Sequence, residues 1–246
     1  MFGLLVAMLA CSEAPGPKQG PGDTADEDSG EPAPLAPLRL SFPLPERERY
    51  DTVLGVDHDP VEQEDSVLGR ATCTDYLGRS FPHCYDQHEG SDYILTGGFD
   101  AMDSGSSPIL AAADGLVVST EDGHYDRCHS DLAKGDVSCD GYEMIANHVI
   151  LEHTGDDGST WRTMYWHMKS GSVAVAVGDQ VAEGTLLGLV GSSGYSSMPH
   201  LHLELHQVLG AEEEAVVDPY AGPYSQSLSY WCDQGGKDSL PESCVD

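Results

Sequence analysis

Three histidines and one glutamate occupy every second position of the stretch HLHLELH, which runs from His200 to His206. Successive side chains of a β-strand point to opposite faces, so the leucines share one face and the histidines share the other with Glu204. The leucine face is typical of a core. His200 and His202 lie close enough on a strand to serve one metal ion or one substrate atom, and imidazole is a common zinc ligand. A polar strand face in contact with solvent gives the same pattern, so the pair requires further donors.

Further donors occur in two earlier segments. The stretch HEGSD places His88 and Asp92 four residues apart with Gly90 between them, and MYWHM places His167 in an aromatic strand. A catalytic zinc site usually has three protein ligands and an open position for water or substrate. Together with the H-x-H pair, these segments supply enough imidazole and carboxylate groups for such a site.

Four sequence elements, taken in order, resemble the lysostaphin-type (LytM, M23) zinc peptidases. They are H-x-G-x-D at 88–92, Y-x-H at 165–167, V-G-D-x-V-x-x-G-x-x-L-G-x-V-G-S-S-G at 177–194 and P-H-L-H-x-E at 199–204. A lone H-x-H pair is a weak signal, whereas four elements in this order are highly specific. The resemblance covers about residues 85 to 220.

Carried over by position, the resemblance implies that His88, Asp92 and His202 bind one zinc ion (Zn²⁺). It also implies that His167 and His200 form a catalytic pair that does not bind the metal. Two imidazoles and one carboxylate leave a net positive site with an open position, which lowers the pKa of water and polarises a carbonyl oxygen. The catalytic pair would then deprotonate that water and stabilise the oxyanion or protonate the leaving amine.

A second segment, TGGFD at 96–100, has the same spacing as HEGSD, but Thr96 replaces the histidine. The complete motif eight residues earlier favours the frame that begins at His88. That frame implies an insert within residues 93–107 relative to the compact form of the family. Its role is open, and one wall of a substrate groove is an option.

Several other polar residues have two interpretations each. Glu204 is either a partner that orients a ligand histidine or a solvated carboxylate. Asn147 either faces the site or caps a backbone segment, and the Tyr85 phenol is a candidate for binding the transition state. We expect His206 to lie on the surface and His153 to have a structural role in a turn.

The composition limits the classes of partner. The chain of 246 residues has 42 Asp and Glu against 11 Lys and Arg, which gives a formal net charge of −31. Because Lys and Arg dominate binding to the phosphate backbone, this balance argues against nucleic acid, and it disfavours an anionic membrane surface. The length suits one sizeable domain with extensions, or at most two small domains.

The N-terminus predicts export. Residues 1–11, MFGLLVAMLAC, contain an apolar run too short to span a membrane and resemble a bacterial lipoprotein signal that ends at a lipidated Cys11. Plain secretion and a misassigned start are the alternatives. Residues 12–38 are an acidic, Pro- and Gly-rich segment that predicts a disordered linker. We therefore expect the lipid anchor to be the only membrane contact, with the protein in the periplasm or on the cell surface.

Six cysteines remain after Cys11. They form three sequence-local pairs, each about a dozen residues apart: Cys73 and Cys84, Cys128 and Cys139, and Cys232 and Cys244. Nearest-neighbour pairing is the simplest of the fifteen connectivities that six cysteines allow, and an oxidising compartment favours disulfides. His124, Cys128, His129 and Cys139 could instead form a second zinc site, but a Cys128–Cys139 disulfide suits an exported protein better.

Short apolar runs separated by Gly, Asp and Ser turns predict a mainly β protein. The runs are 109–119, 147–155, 161–168, 172–194 and 200–208. We expect a small antiparallel sheet or barrel-like peptidase domain of the lysostaphin type, with long loops and few helices. This domain should cover residues 81–222, preceded by an extension at 39–80 and followed by a disulfide-closed tail at 223–246.

By resemblance, the function is that of a zinc-dependent endopeptidase that hydrolyses amide bonds in the stem or cross-bridge peptides of peptidoglycan. Two alternatives remain. One is a non-catalytic protein that binds the cell wall or regulates another hydrolase. The other is a secreted peptidase that acts on peptides outside the wall.

Overall fold

The computed structural model describes residues 35–61, 72–105, 107–237 and 239–244. The proposed signal peptide with Cys11, the linker up to residue 34 and part of the 39–80 extension lie outside the described residues. Among the residues that are described, no helix is long and apolar enough to cross a bilayer.

Within these ranges the secondary structure is almost entirely β, which confirms the predicted fold class. One short α-helix, α1 (Gly98–Asp103), and a single 3-10 turn, Arg47–Arg49, accompany the strands of the described chain. The strands are β1 (Tyr50–Leu54), β2 (Ser91–Leu95), β3 (Pro108–Leu110), β4 (Gly115–Glu121), β5 (His129–Asp131), β6 (Asp136–Ser138), β7 (His148–Thr154), β8 (Thr160–Trp166), β9 (Gln180–Val181), β10 (Leu186–Leu189), β11 (His200–Gly210) and β12 (Glu213–Val216).

The main sheet is antiparallel and has the strand order β1-β2-β11-β8-β7-β4-β9. The first half of β11 pairs with β2 and its second half pairs with β12, while β8 runs along its other side. β3 and β10 form a small separate sheet, as do β5 and β6. Because β11 lies in the middle, its histidines adjoin residues from both β2 and β8.

The leucines of β11 face the core, as the alternation predicts. Leu201, Leu203 and Leu205 are at most 1% exposed and pack in one cluster with Tyr93 and Tyr165. Full burial of each such side chain contributes about 1.5–3 kcal/mol. The burial of the leucines fixes the register of β11, so the opposite face must carry the histidines.

The segments before and after the predicted peptidase domain belong to the same core. Leu38, Leu40, Phe42 and Leu44 alternate along the chain and are buried, and Trp231 from the tail joins them in one cluster. The packed part of the chain thus includes Leu38, one residue before the predicted boundary at residue 39. The reason is that Leu38 is the first residue of this alternating apolar series.

The six cysteines form the nearest-neighbour disulfides Cys73–Cys84, Cys128–Cys139 and Cys232–Cys244. The Cys128–Cys139 bond closes the β5–β6 hairpin. A zinc site on these two cysteines is therefore excluded.

Candidate metal centre

Three elements bring together the residues of the first and last motifs. His88 lies in the turn before β2, Asp92 lies on β2, and His202 lies directly opposite Asp92 on β11. Strand pairing thus places a carboxylate beside an imidazole. The turn then folds His88 back over both, with its Nδ1 hydrogen donated to the Gly55 carbonyl at 2.7 Å.

The three side chains converge on one point. His202 Nδ1 lies 2.7 Å from Asp92 Oδ1, and His88 Nε2 lies 3.1 Å from His202 Nδ1 and 3.2 Å from Asp92 Oδ1. Among the described residues, this is the group of His, Cys, Asp or Glu side chains with a geometry that could hold a metal ion. His124 and His129 do not belong to it.

The donor set fits a divalent metal. The second ring nitrogen of each histidine is engaged elsewhere: His88 Nδ1 by Gly55, and His202 Nε2 by the Glu204 carboxylate at 2.9 Å. Such contacts fix the ring and direct the lone pair of the other nitrogen towards the centre. Glu204 therefore contacts a candidate ligand, and its role as an orienting partner stays a prediction.

The charges of the site favour a cation. Burial opposes ionisation of Asp92, but the neighbouring His88, His200 and His202 hold its pKa well below the usual range. Burial also disfavours a charged His202 ring, yet hydrogen bonds to Asp92 and Glu204 raise its pKa to about 9. The centre thus stabilises positive charge, whether a proton or a metal carries it.

His167 and His200 lie beside this centre. Their ring centroids are 4.7 Å apart, and His200 Nε2 lies 3.4 Å from Asp92 Oδ1. Each ring is held through Nδ1 by a backbone carbonyl at 2.7 Å, that of Ser193 for His167 and that of Met198 for His200. His200 Nε2 therefore faces the Asp92 carboxylate at the centre.

The position of His167 depends on the end of β8. The strand stops at Trp166, and His167 has a φ of 62°, in the left-handed region that non-glycine residues rarely adopt. Such conformations are costly and concentrate at functional sites. Burial and the nearby His200 and His202 rings keep the pKa of His167 well below its usual value, so its ring is neutral at neutral pH.

The remaining predicted residues have different surroundings. The Tyr85 hydroxyl donates to Asp92 Oδ2 at 3.2 Å, and its ring stacks on His88 with centroids 4.0 Å apart. Asn147 donates to the carbonyls of His124 and Met168 and so caps the backbone next to His167. His153 is buried, and its ring forms hydrogen bonds with the Asp114 carbonyl and the Thr163 hydroxyl. It therefore has a structural role within β7 rather than in a turn.

The expectation for His206 is wrong. Its side chain is only 12% exposed, and its ring lies between two carboxylates, those of Glu204 and Glu214. The expectation placed His206 at the far end of its strand, whereas β11 continues to Gly210. The β12 strand covers that end and supplies Glu214.

A cavity of about 550 Å³ opens over Asp92, His167 and His200. Phe81 and Tyr195 line it and are more than half exposed. Sequence reasoning missed both residues. Tyr195 directly follows the GSSG turn, and Phe81 lies in the Cys73–Cys84 loop, but neither position has a pattern that indicates a groove.

Comparisons with known proteins match this part of the chain. The model of peptidase family M23 matches residues 88–219. The peptidoglycan DD-endopeptidase ShyA of Vibrio cholerae is 28% identical over 118 residues, which cover 48% of this chain and 20% of that protein. This chain thus spans about a fifth of the length of the curated relatives it matches.

Solved structures also resemble the chain. The catalytic domain of lysostaphin from Staphylococcus simulans has 24% identity and a TM-score of 0.35, and the match covers 58% of this chain and 82% of that domain. A zinc-containing peptidase from Vibrio cholerae has 20% identity and a TM-score of 0.35, with 66% of this chain and 39% of that chain covered.

Proposed function

The chain belongs to peptidase family M23, and from this premise we propose that it is a zinc-dependent endopeptidase that hydrolyses amide bonds in peptidoglycan peptides. The observation that carries the proposal is the convergence of His88 Nε2, Asp92 Oδ1 and His202 Nδ1 on one point. Two imidazoles and a carboxylate are a donor set that suits catalytic zinc.

In this proposal His88, Asp92 and His202 hold the metal. When bound, it supplies Lewis-acid chemistry, which lowers the pKa of water and polarises the scissile carbonyl. The ligands are preorganised for this task, because Gly55 and Glu204 fix the two imidazole rings. The Tyr85 hydroxyl restrains the second oxygen of Asp92.

His167 and His200 act as the acid–base pair. Each ring donates its Nδ1 hydrogen to a backbone carbonyl, so a neutral ring has its lone pair on Nε2 and can accept a proton from water. The same nitrogen, once protonated, can stabilise the oxyanion and return the proton to the leaving amine as the C–N bond breaks. The neutral state of His167 suits the role of base.

The relatives support the proposed substrate class. A protein that matches this chain over 118 residues is named a peptidoglycan DD-endopeptidase. Three disulfides suit an exported protein that works in an oxidising compartment. We propose that the chain is exported and that Cys11 anchors it through a lipid, within reach of the cell wall.

The test combines metal content with product analysis. The full chain is purified under oxidising conditions with its His202→Ala and His200→Ala variants, and bound zinc is quantified. Each protein is then incubated with purified peptidoglycan, and released muropeptides are identified by mass spectrometry.

We expect about one zinc per wild-type chain. His202→Ala should lose metal and activity, because it removes a ligand. His200→Ala should keep the metal and lose activity about 10²- to 10⁴-fold, because it removes an acid–base group.

Other outcomes would contradict parts of the proposal. If His200→Ala kept full activity, His200 would have no acid–base role. Casein, digested in parallel, controls for substrate class. Cleavage of casein in preference to peptidoglycan would assign the protein to peptides outside the wall.

A further inference from the structure

A line of alternating charges extends from His202 across the open face of the sheet. Glu204 contacts His202 through Oε1 at 2.9 Å and His206 Nε2 through Oε2 at 2.8 Å. His206 Nδ1 lies 3.2 Å from Glu214 Oε2, and Glu214 pairs with Arg162. Along this line the side-chain groups are therefore an imidazole, a carboxylate, a second imidazole, a second carboxylate and a guanidinium.

Strand pairing fixes the members of this line. His206 lies directly opposite Arg162 on β8, and Arg162 lies directly opposite Glu152 on β7, with which it forms a 2.9 Å ion pair. Glu214 comes from β12, which pairs with the second half of β11. Four strands thus contribute to this line of charges. The exposed fraction of the side chains rises along it, from 12% at His206 to 31% at Arg162.

His206 holds Glu204 in place. A carboxylate on a strand has rotatable bonds, and the contact with His202 alone restrains only one of its two oxygens. His206 Nε2 lies 2.8 Å from the second oxygen, so turning the carboxylate away from the His202 ring would break this ion pair. The two ring nitrogens of His206 lie at ion-pair distances of 2.8 and 3.2 Å from carboxylate oxygens of Glu204 and Glu214, which favours a charged ring. Burial opposes that charge, but Glu204 and Glu214 raise the pKa of His206.

We propose that His206 and Glu214 are positioning residues for the metal centre, acting on the ligand His202 through Glu204. Glu214 holds the charged His206 ring against Glu204, and Arg162 holds Glu214 at the far end of the line of charges. The contacts that orient a ligand histidine thereby extend two residues beyond its direct partner. This inference rests on the proposed function, because it requires that His202 binds the metal.

Zn²⁺ affinity of the full chain, measured by competition with a chromogenic chelator, tests the proposal. The variants are His206→Ala, His206→Gln and Glu214→Gln. Glu213→Gln is the matched control, because Glu213 is a neighbouring carboxylate on the same strand and is exposed. The visible spectrum of the Co²⁺-loaded proteins reports ligand geometry, and circular dichroism of the metal-free proteins checks folding.

Loss of a partner that orients a ligand typically weakens metal binding about 10- to 100-fold. We expect about a tenfold loss for His206→Ala, at the low end of that range because its action is indirect, and a smaller loss for Glu214→Gln. His206→Gln, which restores one donor to Glu204, should recover part of the affinity. The Co²⁺ spectrum should change in His206→Ala, whereas Glu213→Gln should match the wild type in both measurements.

The proposal is overturned if His206→Ala and Glu214→Gln bind zinc as tightly as the wild type. It is also overturned if Glu213→Gln weakens binding as much as Glu214→Gln, because the effect would then be one of general charge. A wild type that binds zinc without cleaving peptidoglycan would remove the proposed function alone, since the affinities of the variants still decide the roles of His206 and Glu214. A wild type that takes up no metal would overturn both.

Discussion

Gly90 controls how closely the turn that carries His88 approaches His202. A Cβ at this position would lie 2.7 Å from the Leu203 carbonyl oxygen and 2.8 Å from the His202 ring. The carbonyl belongs to a paired strand, so it cannot move without disturbing the sheet. Gly90→Ala should therefore push His202 away from His88 and Asp92. Overpacking of this kind costs about 1–3 kcal/mol. We expect zinc affinity, measured by chelator competition, to fall about tenfold or more, since about 1.4 kcal/mol corresponds to a factor of ten.

Gly210→Ala is the matched control for this prediction. Gly210 ends the same strand that carries His202, and a Cβ there would meet its nearest neighbour at 3.9 Å, an ordinary contact. Its zinc affinity should equal that of the wild type. Equal affinity in Gly90→Ala would show that the close approach at this glycine does not position the metal ligands.

At the residue scale, the sequence predicted which side chains meet but not what holds them. The alternation of HLHLELH placed His200 and His202 on one face, because buried leucines fix the other. The Gly55, Ser193 and Met198 carbonyls that fix three of the histidine rings have no sequence signature. Every residue has a carbonyl, and only the folded backbone determines which ones face a ring.

At the element scale, the β5–β6 hairpin is bonded to the segment that holds both catalytic candidates. Cys128 and Ser192 exchange two hydrogen bonds, and Ser130 N donates to the Ser197 carbonyl at 2.9 Å. Within this segment, residues 192–198, the Ser193 and Met198 carbonyls hold the His167 and His200 rings. The hairpin thus braces the proposed acid–base pair.

Replacing Cys128 and Cys139 together by serine should consequently separate catalysis from metal binding. The hairpin would loosen and the 192–198 segment would follow, so the His167 and His200 rings would lose their fixed orientation. A misplacement of about 1 Å can cost about 10²-fold in rate, and we expect muropeptide release to slow at least about tenfold. The bound zinc, measured on the same samples, should stay at the wild-type level.

The Cys232–Cys244 pair provides the comparison for this variant. It closes a loop of nearly the same length, since its cysteines are 12 residues apart and those of the Cys128–Cys139 pair are 11 apart. Neither Cys232 nor Cys244 lines the cavity over Asp92, His167 and His200. Its double serine variant should lose stability, typically about 2–5 kcal/mol for a native disulfide, while the folded fraction remains active. Equal losses of activity per folded molecule in the two variants would contradict a specific role for the hairpin.

The hairpin also illustrates which elements escaped prediction. β11 alternates apolar and polar residues over seven positions, and β7 and β8 are seven-residue runs rich in β-branched and aromatic residues; each lies in a segment predicted as β structure. β5 and β6 have three residues each, HSD and DVS, which is too short and too polar for a periodic signal. Only the spacing of Cys128 and Cys139 indicated that this segment is ordered. Such spacing can predict a disulfide, but it does not predict a strand.

At the scale of the whole molecule, the described ends of the chain complete the core. Leu40 and Trp231 form a parallel bridge, with Leu40 N donating to the Tyr230 carbonyl at 2.7 Å. The Trp231 ring lies edge-on to Phe42 and Tyr220, with centroids 6.0 and 5.7 Å away. Separate regions at 39–80 and 223–246 were expected because neither belongs to a motif. Their contacts with each other join residues almost 200 positions apart, which local patterns do not reveal.

Trp231→Ala distinguishes a tail that completes the core from one that is an appendage. Trp231 is 3% exposed within the main cluster, and truncation of a buried tryptophan typically costs about 3–5 kcal/mol. We expect a loss of this size in the free energy of unfolding, measured by equilibrium urea denaturation under oxidising conditions.

Leu132→Ala is the control, at a side chain that is 82% exposed, and should change the free energy of unfolding by less than about 0.5 kcal/mol. If Trp231→Ala behaved like Leu132→Ala, the peptidase domain would fold independently of the tail, as an appendage requires. A loss of several kcal/mol would mean instead that the chain from Leu38 to Trp231 unfolds as one cooperative unit.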